Sequence, residues 1–73
     1  MGFKPERVSK ARENSGLSQF ALVREMAKHL PDDKNPTPQS VSMWERGTTQ
    51  PGAEYLWAFS KATGYDMEYF FGK

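Results

Sequence analysis

Thr37-Pro38-Gln39-Ser40-Val41-Ser42-Met43-Trp44-Glu45-Arg46-Gly47 reads as a short helix with both of its ends marked. Thr37 is an N-cap type, and Pro38 suits the first helical position, where the N–H it lacks has no partner anyway. Gly47 suits the left-handed residue that closes a helix. Between them only Val41 and Trp44 form an apolar stripe. Two large anchors hold the helix, and its remaining face is small and polar.

That face is unusual. Small hydroxyls and a glutamine beside a helix N-terminus are what a reader of the DNA major groove needs. Glutamine bonds adenine twice, serine bonds most bases, and an apolar side chain rests on a thymine methyl. A short amphipathic helix that is plain structure shows much the same pattern, so the stretch does not decide the matter alone.

Working outward, the chain reads as all-α. Helix 1 starts near Pro5 and stops at Ser15-Gly16. Helix 2 follows the N-cap type Ser18, with Phe20, Val23, Ala27 and Leu30, joined by Leu22 and Met26, as its apolar face, and Pro31 ends it. Residues 31–36, PDDKNP, form a loop by composition, and residues 48–52, TTQPG, form another. Helix 4 runs from about Ala53 to Thr63 with Leu56, Phe59 and Ala62 inward. Gly64 closes it. A last short helix from Met67 to Phe71 is capped by Asp66 and covered by Met67, Phe70 and Phe71.

Composition narrows the function classes. Seventy-three residues make one domain, 1–73, with a modest core. With no cysteine there is no disulfide and no Cys-based zinc site. The lone His29 with Asp32 and Asp33 is no convincing ligand set, so no metal and no cofactor is expected. Glu13, Glu25 and Glu54 are acids without a base, a nucleophile or a phosphate loop beside them, which argues against an enzyme. No apolar run approaches the ~20 residues that cross a bilayer, and the first ten residues lack the apolar region of a secretory signal. A reducing, cytoplasmic setting fits. Net charge is only +1, but Lys4, Arg7, Lys10 and Arg12 against Glu6 give residues 1–12 a local +3. Such a cluster is either a solvated helix face or a source of phosphate contacts.

Several phrases, in order, carry a resemblance: Arg12-x-x-x-Gly16-Leu17-Ser18-Gln19, then Ser40-Val41-Ser42-Met43-Trp44-Glu45-Arg46-Gly47, then Pro51, then Leu56 with Ala62. Over Arg7 to Phe71 the chain resembles the phage repressor/Cro (XRE-type) family of helix-turn-helix domains. The resemblance implies a five-helix repressor-like fold, with the helix-turn-helix at about 18–47 and helix 3 in the major groove of double-stranded DNA. It puts Thr37, Pro38, Gln39, Ser40 and Met43, with Ser42 at the edge, against base edges. Arg12, Ser18, Gln19, Arg46, Thr48, Thr49 and Gln50 fall where that family holds phosphates. Arg12 and Glu45 match a pair that orients the recognition helix by a salt bridge; an ordinary surface pair is the alternative.

The chain departs from the pattern twice. The family's turn between helices 2 and 3 is tight, whereas this chain inserts roughly eight residues at about 28–36. These are a neutral spacer, an extra DNA contact through Lys28 and Lys34, or an obstruction through Asp32 and Asp33. Pro38 also stands where the family often places a polar base reader, leaving recognition to Gln39, Ser40 and Met43. So thin a set suits a homodimer on paired half-sites. Tyr55, Trp57, Tyr69 and Phe71 are candidates for its interface, with core packing the equal alternative. Sequence-specific transcriptional regulation, repressor-like, is the function expected. A protein-interaction module on the same scaffold, such as an antitoxin-like partner, is the alternative.

Overall fold

Proline, serine, threonine and glycine set nearly every helix boundary in the structure, a computed structural model that describes residues 2–71. The α-helices are α1 (Pro5–Asn14), α2 (Gln19–Ala27), α3 (Pro38–Arg46) and α4 (Ala53–Thr63). Two 3-10 segments, Asp32–Lys34 and Met67–Phe71, complete the regular structure, and the described residues contain no strand.

Helix ends are closed as local chemistry dictates. Ser18 Oγ accepts the Ala21 N–H at 3.0 Å, and Thr37 Oγ1 accepts the Ser40 N–H at 3.1 Å. Each satisfies one N–H that the first turn leaves without a partner. At the other ends Gly16 and Gly47 are left-handed, at φ 74° and 78°. Beyond them Leu17 N–H returns to the Arg12 carbonyl and Thr48 N–H to the Met43 carbonyl. That is the reverse turn only a residue without Cβ adopts cheaply.

Two expectations are corrected. The fifth helix is not α-helical: Met67–Phe71 is a 3-10 segment, and Tyr69 N–H bonds the carbonyl of Asp66, three residues back. Five residues give an α-ladder little length to form. The fold therefore has four α-helices. Helix 2, expected to run to Pro31, stops at Ala27. From Lys28 to Leu30 each N–H bonds three residues back, because Pro31 bars its predecessor from the α conformation.

The core draws on every α-helix. It consists of Val8 and Ala11 from α1, Leu22, Val23 and Met26 from α2, Val41 and Trp44 from α3, Leu56, Ala58 and Phe59 from α4, and Phe70. No polar or charged residue is buried among the described residues. Phe20, placed on the inner face by its spacing, is instead 62% exposed. The centre of the buried face runs through Leu22 and Met26, and Phe20 lies more than a third of a turn away from it. On α4 Ala58 is buried, while Ala62 is only partly covered. The α1 helix packs on α3, and α2 packs on both α3 and α4. The last segment seals the α1–α4 side: Phe70 stacks on Phe59 at 4.9 Å, and the Lys4 N–H bonds the Phe70 carbonyl at 2.7 Å.

Candidate nucleic-acid interface

The α3 helix is anchored through Val41 and Trp44. At 100° per residue the opposite face carries Gln39, Ser42, Met43 and Arg46. Gln39 and Arg46 are exposed, and Ser42 and Met43 are half-buried. Met43 does not pack against the core. Thr37 and Ser40 sit at the first turn with their hydroxyls 3.1 Å apart, so each already has a partner. Pro38 contributes no donor.

One carboxylate joins three helices at the base of this face. Glu45 of α3 accepts Arg12 Nε of α1 at 2.5 Å on Oε2, and on Oε1 it accepts Gln19 Nε2 of α2 at 3.0 Å. Arg12 Nη1 also donates to the Leu17 carbonyl at 2.9 Å. The Arg12 and Glu45 side chains are 14% and 11% exposed. At that depth the pair is shielded from water and ions far better than an ordinary surface bridge. Its geometry fixes the angle at which α3 leaves the body. Each nitrogen of Arg12 meets a protein oxygen, which uses three of its five N–H donors and commits the side chain to the ion pair first. Sequence reading did not find the Gln19–Glu45 bond. The two residues are 26 positions apart, and only the α2–α3 crossing brings them together.

Around α3 lie groups suited to anions. The exposed Ser18 and the half-buried Gln19 stand on one side, at the start of α2. On the other, Thr48, Thr49 and Gln50 are all exposed and lead to α4, whose N-terminus has no side-chain cap. Free N–H groups at a helix start favour phosphate. Arg46 is exposed at the last turn of α3. In the basic N-terminal cluster, Arg7 is committed elsewhere: its Nη1 donates to the Tyr69 carbonyl at 2.8 Å, and its guanidinium lies 5.0 Å from the Tyr69 ring centre.

The 28–36 insertion turns towards α4. His29 meets Trp57 edge to face at 5.9 Å, and Lys34 Nζ lies 3.4 Å from Glu54 Oε1. The hydrogen bond and charge of Glu54 raise the Lys34 pKa above the ordinary lysine value. Lys28 pairs with Glu25 at 3.1 Å. Both lysines considered for phosphate contact thus already face carboxylates. The four candidate interface aromatics divide between core packing and surface. Tyr55 packs on Trp44, Tyr69 lies between Tyr65 and Phe70, and Phe71 meets Phe3. Of the four candidates only Trp57, 44% exposed, stands in solvent.

A short helix with a polar outer face, braced against a preceding helix and followed by an exposed polar loop, defines a helix-turn-helix domain. Residues 37–70 match the helix-turn-helix family, a span that begins at the N-cap of α3, just past the insertion. The whole chain has the fold of a phage repressor. It is similar to the P22 c2 repressor protein, solved as a crystal structure in complex with synthetic operator 9T in the presence of Tl+, with a TM-score of 0.78 and 26% identity over 99% of this chain and 97% of that one. No curated protein sequence matches the chain significantly. The chain has a repressor-like helix-turn-helix fold. No helix among the described residues is long and apolar enough to cross a membrane.

Proposed function

We propose that this protein binds double-stranded DNA sequence-specifically and acts as a repressor-like transcriptional regulator in the cytoplasm. The observation that carries the reading is the Glu45 junction, which fixes α3 to α1 and α2 with its polar face outward. The likeness to a repressor crystallised on its operator supports it. In this reading α3 enters the major groove, and Gln39, Ser42 and Met43 meet base edges. Thr37, Pro38 and Ser40 line the groove at the helix start. Ser18, Gln19, Arg46, Thr48, Thr49 and Gln50 hold the flanking phosphates. The action is binding without chemistry, since occupancy alone blocks or recruits polymerase.

A protein partner or a second copy is the other reading, and one observation favours it. Trp57 lines a groove of about 430 Å³ with Leu30, Pro31, Ala53 and Met67, and His29 and Glu54 complete its wall. Apolar surface of this kind is where proteins meet.

The experiment is a titration against random duplex DNA at low and near-physiological salt, followed by sequencing of the bound fraction. A recovered motif whose affinity falls with salt supports the regulator. Absence of duplex binding even at low salt overturns it and leaves the partner reading.

A further inference from the structure

The outward face of α3 has a chemical bias. It presents an amide at Gln39, a hydroxyl at Ser42 and a thioether at Met43, and its first cation is Arg46. Arg46 lies seven residues beyond Gln39, about 10 Å further along the axis. Recognition helices meet base edges with their N-terminal residues, so Arg46 falls at the end that leaves the groove. The commonest contact to guanine is an arginine or lysine on its O6 and N7. The first two turns of α3 hold neither residue. The Thr37 and Ser40 hydroxyls are engaged with each other, and Pro38 has no donor.

What remains matches the edge of an A·T pair. The Gln39 amide can donate one N–H to adenine N7 while its carbonyl accepts from adenine N6. Met43 lies four residues on, with its Cβ roughly 5–6 Å from that of Gln39. That is one to two base-pair steps along the duplex, at about 3.4 Å per step. A half-buried methionine that packs on no core residue is free to lie against a thymine methyl group.

We infer that α3 selects A·T pairs, with Gln39 reading adenine and Met43 reading the C5-methyl of a thymine one or two pairs away. The inference rests on the DNA-binding reading and narrows the sequences that the protein accepts.

The test uses the full chain and the duplex recovered from the random pool. Each thymine is replaced singly by deoxyuridine, which keeps the pairing and removes only the methyl, and affinity is read by fluorescence anisotropy. One replacement per half-site is expected to weaken binding about fourfold, the worth of one buried methyl group. In Met43→Ala that difference disappears. In Gln39→Ala discrimination at the neighbouring adenine drops about tenfold or more. Both positions lie outside the core, and helical circular dichroism confirms that the variants are folded. A G·C pair at the position whose preference Gln39→Ala changes, or equal affinity for every deoxyuridine duplex, overturns the inference while DNA binding stands. A protein that binds no duplex overturns the regulator reading itself.

Discussion

Arg12 Nε stands 2.5 Å from Glu45 Oε2, tying the first helix to the third across 33 residues of sequence. The carboxylate also holds Gln19, so losing the arginine leaves a half-satisfied charge in a sheltered place. Arg12→Ala is expected to cost about 2 kcal/mol, in the range of hydrogen bonds to charged groups. Arg12→Met with Glu45→Leu should cost clearly less than the sum of the two single changes. Urea unfolding of all four proteins gives the coupling, and strict additivity would show that the two side chains act independently.

Thr37→Ala removes the side-chain bond to the Ser40 N–H. A stability loss of about 1 kcal/mol is expected, and Thr37→Ser should recover most of it. Thermal melts of the three proteins decide the point. Failure of serine to rescue would mean that the threonine methyl, not the cap, matters.

Gly47 and Gly16 have nearly the same φ but different surroundings. A Cβ on Gly47 would lie 3.0 Å from Pro5 Cγ, whereas one on Gly16 would meet nothing within 4 Å. Gly16→Ala should cost about 1–2 kcal/mol for the left-handed conformation alone. Gly47→Ala should cost more, because the start of α1 must also shift. Equal losses in denaturant would mean that Pro5 yields freely.

Phe70 is fully buried against Phe59. Its truncation to alanine should cost about 3–5 kcal/mol. A chain of this length has roughly 4–11 kcal/mol in total. Phe70→Ala is therefore expected to melt far below the parent or to lose its cooperative transition in calorimetry. A melting temperature close to the parent's would show that the last 3-10 segment is dispensable to the core.

Phe20→Gln is the contrasting case. The ring is exposed, with the Arg24 guanidinium 5.9 Å from its centre. Stability should stay within about 0.5 kcal/mol of the parent in the same urea assay. A larger loss would return Phe20 to the core.

The sequence was most informative where a single residue type answers a local demand. Pro38, Thr37 and Gly47 bound α3, and Val41 with Trp44 orients it, so the outward face of that helix was legible residue by residue. Phe20 shows where spacing fails: several apolar residues on α2 offer more than one candidate face, and only packing against α3 and α4 selects between them. The Gln19–Glu45 bond and the docking of His29 on Trp57 depend on how helices cross. Local pattern does not encode that crossing. Tyr55, Tyr69 and Phe71 looked surplus because a helix wheel sees only its own helix. Their partners Trp44, Tyr65 and Phe3 come from other elements.

Ten residues, from Lys28 to Thr37, separate the helical spans of α2 and α3. A two-helix unit closed by a tight turn has its angle written into the backbone. In this chain the joint is long enough to act as a tether, and the angle is set by side-chain contacts, Glu45 near the far end of α3 and the His29–Trp57 contact within the joint. The posture of the reading helix is therefore a thermodynamic quantity rather than a covalent one. It can be tuned by changing residues that never touch a base, and a selection for altered reading strength has more positions to work on than the face of α3 itself.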